Sequence, residues 1–401
     1  MKRRPVYVRG VGAVTPFGSW AETLPRLAAG ETAVVSVYHG FDTAGYPSRA
    51  AAAIVDDELD GATDRRLVLA RRAAGEALGE AFASAAPERR GIFVGAESGR
   101  SSFATVLALA RVAGGGARFD HELFAQDAPA LAAKIDARAV SPAAVASVLA
   151  GELEARGPAM TVSLACASGA AAIVEAVRAL RRGVCDVALA GGVGADVDPF
   201  MLAGFGILGA LSARGSSCPF DVRRDGFVVG EGAAMVLLSV ERGDAVCRVT
   251  GVGRSVDAFH LTAPDPDGDG AARAMRAALD DAGRDAVDCV QAHGTSTPLN
   301  DAVEALAIQR VLGERLAAAR VSSVKGALGH WIAGAGAVGA LAAVEAVTRG
   351  IVLPTAGLRE PDPRCNLPHV LGRAAQVPAR SALVNAFAFG GANACLVMEA
   401  A

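Results

Sequence analysis

The chain has 401 residues, 52% of them hydrophobic and 20% charged, with a formal net charge of −3. That is enough for a large core, built as two domains or two pseudo-repeated halves, and the near-neutral balance argues against a nucleic-acid surface. The seven cysteines are odd in number and scattered without a CxxC pair, a spacing that fits neither a disulfide framework nor a zinc site.

The opening MKRRPVYVRGVGAVTP is basic, but Arg9 and several glycines interrupt any apolar run, so it does not read as a signal peptide. A strand-like run follows at 91–97, and 101–160 reads as a helix-rich insertion that faces a partner. Thr161 to Leu164 reads as a short strand. A turn of small residues then holds Cys166, and a helix runs from Ala170 to a stop at Arg181, Arg182 and Gly183. Further apolar strands are expected at 186–193, 233–240, 288–293 and 382–389, alternating with helices, which predicts parallel-rich sheets covered on both faces. Two echoes recur in the same order: VYVRGVGAV (6–14) with CRVTGVGRS (247–255), and IVEAVRALRRG (173–183) with AAVEAVTRG (342–350). A duplicated α/β unit explains them, with halves 1–245 and 246–401. The longest apolar run, 331–344, is too short to span a membrane and ends at Glu345, so a cytoplasmic protein is expected.

Four glycine-flanked stretches carry reactive side chains. The first is the Cys166 turn, where a helix start favours a thiolate; the plainer reading is a small buried hydrophobe. The second is VQAHGTSTPLNDAVEA (290–305), with His293 at a strand end and Asn300 placed to cap a helix carrying Glu304. The third, VSSVKGALGHWIAGAGAVG (321–339), holds Lys325 and His330, and the fourth is NAFAFGGANA (385–394). Duplication would bring Cys166, His293 and His330 to one centre. A thiolate there suits acyl transfer, and two imidazoles suit an enolate oxygen; a Cys/His hydrolase would need only one base and water.

These stretches closely resemble the β-ketoacyl-[acyl-carrier-protein] synthases, the condensing enzymes of fatty acid and polyketide synthesis. The likeness covers GVGAVTPFG (10–18), ACASG (165–169), LAGGVGADVDPF (189–200), PFDVRRDGFVVGEGAA (219–234), AHGTSTPLND (292–301), VKGALGH (324–330) and NAFAFGGANA (385–394), in the family's order. Length and register resemble the discrete, synthase II-like type. The resemblance implies an α/β thiolase fold, two αβαβα halves stacked into five layers, as a homodimer or as the active half of a heterodimer. It implies that Cys166 takes the acyl chain from acyl carrier protein, while His293 and His330 promote decarboxylation of the malonyl thioester. Lys325 would order that centre and Glu304 support it. The backbone N–H groups of Cys166 and Phe389 would form an oxyanion hole, Phe389 would also gate the acyl pocket, and Phe205, Thr295, Thr297, Gly390 and Gly391 would line the substrate path. No cofactor or metal is implied, since phosphopantetheine arrives on the carrier.

Some positions depart from the family pattern: Gly326, Trp331, Ala386, Ala388 and Ala392. A stiffer gate at Ala388 and a bulky Trp331 near the site would alter acyl-chain choice, pointing to a specialised polyene or polyketide-like pathway. The rival reading is a non-catalytic chain-length or initiation partner; a degradative thiolase would use a second cysteine, and Cys395 reads as core instead. The resemblance places His260 at the family's pocket rim, with no chemical role expected of it. Arg65, Arg66, Arg178, Arg181 and Arg182 would receive an acidic carrier if exposed.

Overall fold

The computed structural model describes residues 4–60, 62–100, 103–112, 119–133 and 135–401. Its frame is one set of five strands and three helices, used twice. In the first half these are β1 (Tyr7–Thr15), α1 (Arg65–Ala77), β2 (Arg90–Gly95), α2 (Ala144–Glu152), β3 (Ala159–Val162), α3 (Ser168–Arg181), β4 (Val187–Ala195) and β5 (Val229–Ser239). The second half repeats them as β6 (Cys247–Val256), α4 (Asp269–Ala282), β7 (Cys289–Gln291), α5 (Pro298–Leu312), β8 (Arg320–Ser322), α6 (Ala335–Arg349), β9 (Ser381–Phe387) and β10 (Ala392–Ala400).

The strands run β3-β2-β4-β5-β1 in one half and β8-β7-β9-β10-β6 in the other, the same order in each. Pairing senses match as well. β2 is parallel to β3 and β4, and β5 is antiparallel to β4 and β1, while β7, β8, β9, β10 and β6 repeat that pattern. The halves join where Tyr7 and Val8 of β1 pair with Arg248 and Cys247 of β6.

Strand alternation sorts the side chains into three cores. On β5, Ala234, Val236 and Leu238 face the middle layer, whereas Ala233, Met235 and Leu237 face the outer one. On β10, Ala394, Leu396 and Met398 face the middle, and Cys395 and Val397 face the outer core of the second half, so Cys395 is core as its neighbours suggested. Both faces of these strands are buried, which is why they read as continuous apolar runs. The central helices α3 and α6 are rich in Ala and Gly because they touch. A Cβ on Gly336 of α6 would lie 2.8 Å from both Cβ and N of Ala170 on α3. The layers are therefore helix, sheet, helix, sheet, helix. The stretch Ile332–Arg349 is long and apolar enough to cross a membrane by length and composition, and 89% of it is buried as this core element.

Several expectations shift. The strand expected over 161–164 ends at Val162, and the helix begins two residues early at Ser168, after a 3-10 turn over Ala165–Ala167. The 101–160 stretch is not wholly an insertion, for its last helix, α2, packs on β2 and β3 and is the counterpart of α5; residues 101–102, 113–118 and 134 lie outside the described residues. Asn300 does not cap α5. Pro298 opens that helix and Thr297 holds the cap position, because proline's fixed φ and missing N–H suit a first turn.

Candidate active site

Strand order decides where the reactive groups fall. Cys166 follows β3, and Lys325 and His330 follow β8, its counterpart in the other half; His293 follows β7 and Phe389 follows β9. All lie beyond the carboxyl ends of parallel or mixed strands, where open α/β sheets place their ligands. The sulfur of Cys166 and the imidazole nitrogens of His293 and His330 come within 4.8 Å of one another. These three side chains, with Phe205, Phe227, Thr295, Thr297, Glu304 and Phe389, line a cavity of about 350 Å³.

Cys166, His293, Lys325, His330 and Glu304 are each no more than 7% exposed. Dehydration therefore governs their acidity. Burial pushes the Cys166 thiol up to about 12, outweighing the Lys325 ammonium and the Phe389 N–H that points at the sulfur. The thiolate expected from the helix start is not the resting form. Burial also holds both imidazoles well below the ordinary histidine range, with the Lys325 charge acting the same way, so both rings are neutral near pH 7.

Their tautomers follow from their neighbours. The Ile332 N–H donates to His330 Nδ1 at 3.1 Å, so that nitrogen is an acceptor and the ring proton sits on Nε2. Lys325 Nζ lies 3.3 Å from His293 Nδ1 and donates to the His293 carbonyl, which assigns His293 the same tautomer. The rings meet edge-on, 5.6 Å apart. Lys325 is one of three lysines in the chain, and burial lowers it to about 8 despite the carboxylates of Glu304 and Asp301. Glu304 on α5 accepts the His293 and Gly294 N–H groups at 2.7 Å each and Asn385 Nδ2 at 3.0 Å, and burial raises it to about 7.

The remaining expected residues divide. Phe205 lines the cavity and stands 6.5 Å from the Phe389 ring; Thr295 and Thr297 line it and share a 2.9 Å hydrogen bond. Gly390 and Gly391 do not line it. They turn the chain with φ of 82° and 74°, and the Gly390 N–H is spent on the Leu261 carbonyl. Trp331 is fully buried away from the cavity, its indole set against Gly230 and Gly232 and its N–H bonded to Leu328 O at 3.0 Å. The step from His330 to Trp331 turns the side chain into the middle core, so it does not touch an acyl chain in this cavity. His260 accepts the Thr262 and Ala263 N–H groups on an exposed loop, a structural task. Arg65 pairs with Glu231, Arg66 with Asp64, Arg178 with Glu175 and Arg181 with Asp281, so these arginines are committed inside the chain; Arg182 is exposed.

Sequence reasoning passed over Asp301, Asn385 and Glu97. Asp301 is fully buried and accepts the N–H groups of Thr295, Ser296 and Phe220 at 2.8 to 3.1 Å, which fixes the loop after His293. Its signal was an acid in the first turn of a helix after a Thr-Ser-Thr loop. Asn385 shows only as the first letter of a glycine-rich stretch.

Models of the families described as "Beta-ketoacyl synthase, N-terminal domain" and "Beta-ketoacyl synthase, C-terminal domain" match residues 3–242 and 246–359. The 3-oxoacyl-[acyl-carrier-protein] synthase 2 of Staphylococcus aureus (strain COL) is 31% identical over 422 residues, covering 99% of each chain. The protein of the same name from Synechocystis is 40% identical over 260 residues, a match spanning 62% of each chain. Among solved structures, a chain of a type II polyketide acyl-carrier protein complex with its hexaketide-bound ketosynthase superposes with TM-score 0.85 at 27% identity, covering both chains fully. A chain of the ishigamide ketosynthase/chain length factor does so with TM-score 0.83 at 32% identity, again with full coverage.

Proposed function

The chain belongs to the β-ketoacyl synthase family, and from that premise we propose that it condenses a Cys166-bound acyl chain with malonyl-[acyl-carrier-protein], giving 3-oxoacyl-[acyl-carrier-protein] and CO2. One observation carries the reading: a thiol and two neutral imidazoles, each with Nε2–H available, share one buried cavity.

The Cys166 sulfur attacks the carrier-bound thioester, and its proton passes to the departing pantetheine thiol. Arrival of the substrate is what makes a neutral, buried thiol useful, because no thiolate is exposed beforehand. Malonyl thioester then loses CO2, and the electron pair of the broken C–C bond becomes an enolate. Its oxygen accepts hydrogen bonds from His293 and His330, donors already aimed and dehydrated. The enolate carbon attacks the Cys166 thioester. The N–H groups of Cys166 and Phe389 hold the tetrahedral oxygen, and collapse expels the Cys166 thiolate, which takes up one proton. Lys325 holds His293 in its tautomer, and Glu304 and Asp301 hold the loop that carries it.

Acyl carrier protein is the proposed partner, and the solved relative in complex with its carrier supports this; the pantetheine arm would enter past Thr295 and Thr297, which line the cavity. The chain acts in the cytoplasm as a homodimer or beside a chain-length factor, as the second solved relative's description suggests. The pathway is fatty acid or polyketide/polyene-type lipid synthesis. Cys166 itself argues against a non-catalytic chain-length or initiation partner. The test is to mix acyl carrier, malonyl carrier and protein and weigh the carrier products. A two-carbon-extended 3-oxoacyl carrier with equimolar CO2 supports the reading, and its absence across a range of acyl chains favours the non-catalytic partner.

A further inference from the structure

We propose that Glu97 is a positioning residue for Cys166, its carboxylate holding the turn that carries the thiol. The kinetic part of this inference rests on the acyl-transfer reading. β2 ends at Gly95, which pairs with Val162 of β3, and the Ala96 N–H bonds the Val162 carbonyl at 3.1 Å. The parallel register thus lays the next residue, Glu97, alongside the chain as it leaves β3. Its Oε1 accepts the Ala165 N–H at 2.8 Å and lies 3.1 Å from Ser168 Oγ, and its Oε2 accepts the Ser163 hydroxyl at 2.8 Å. Ser168 Oγ in turn accepts the Leu164 N–H at 2.8 Å and lies 2.7 Å from the Ala165 carbonyl. Residues on both sides of Cys166 are therefore tied to one carboxylate.

The turn needs such a tie. Ala165 sits at φ 44°, a left-handed conformation that strains a residue with a Cβ and persists only where its surroundings impose it. Glu97 is itself anchored, because the buried Arg66 guanidinium donates to its carbonyl and, at 2.7 Å, to Ala139 O and to Asp64. The charged groups that act on the thiol are Lys325 on one side and Glu97 and Asp196 on the other, Asp196 being paired with Arg100 at 2.7 Å; the two imidazoles complete the surroundings. Lys325 favours the thiolate, whereas Glu97 and Asp196 disfavour it.

Two variants separate geometry from charge. Glu97→Ala removes the acceptor from Ala165, whereas Glu97→Gln keeps a carbonyl oxygen there and drops the charge. Acyl loading from a carrier thioester should fall at least about tenfold in kcat for Glu97→Ala with little change in KM, and Glu97→Gln should recover most of that loss, since small displacements of a reacting group cost this much. Iodoacetamide labelling of Cys166, located by peptide mass, should move to lower pH in Glu97→Gln. Wild-type loading by Glu97→Ala together with an unmoved labelling profile in Glu97→Gln overturns the proposal. Labelling needs no condensing activity, so a wild-type protein that never loads an acyl chain counts against the ketosynthase reading and leaves Glu97 to be judged by labelling alone.

Discussion

Replacing Trp331 with leucine separates a packing role from a substrate role. The indole fills a slot walled by glycines: a Cβ on Gly232 would lie 2.6 Å from its ring, and one on Gly230 3.0 Å. Leucine leaves roughly 60 Å³ unfilled, worth about 1.5 kcal/mol at some 24 cal/mol per Å³. The Leu328 carbonyl also loses its 3.0 Å indole donor, about 1 kcal/mol for a buried acceptor. Lost transfer energy brings the total to about 3 kcal/mol. Urea unfolding of wild type and Trp331→Leu measures that loss, and loading with acyl carriers of increasing length measures selectivity in parallel. The prediction is a clear drop in unfolding midpoint with an unchanged chain-length profile. A changed profile at wild-type stability would refute the argument that Trp331 lies outside the acyl path.

Other expectations follow from the buried charges and donors. His293→Gln and His330→Gln should each slow malonyl decarboxylation by about 10²-fold, the usual effect of losing one aimed donor, while Cys166 still loads. Lys325→Met removes the charge that favours the Cys166 thiolate, so labelling by iodoacetamide should move to higher pH. Condensation in the wild type should decline above about pH 8, where Lys325 loses its proton, and below about pH 7, where Glu304 gains one; a flat profile from pH 6 to 9 contradicts these assignments. Ala388 has ordinary extended angles, φ −134° and ψ 154°, so Ala388→Gly should fold with a penalty of about 1 kcal/mol or less. Its looser gate should widen the range of acyl chains accepted, measured by competitive loading.

Much of the architecture was legible because duplication leaves marks in a chain. V-x-G-V-G sits on β1 and β6, each the first strand of its half, and the alanine-rich echoes fall on α3 and α6, which must be slim to touch. Cys166, His293, Lys325 and His330 were findable as reactive residues at glycine turns after strands. What escaped depended on three dimensions. Glu97 lies 69 residues from Cys166 and reaches it only through the β2–β3 register. Of the two readings open for Cys166, the buried one agrees with the structure: a helix start is visible locally in the chain, while dehydration by Phe205, Phe227 and Ile332 is not. Trp331 follows His330 in sequence, yet one turn of backbone sends the two side chains to opposite tasks.

Every step of the proposed condensation depends on Cys166 carrying the acyl chain. Intact mass after mixing an acyl-carrier thioester with wild type and with Cys166→Ala shows whether it does. One added acyl mass is expected on wild type only, discharged when malonyl carrier is supplied. Equal labelling of both proteins, or none on either with any chain length, contradicts it.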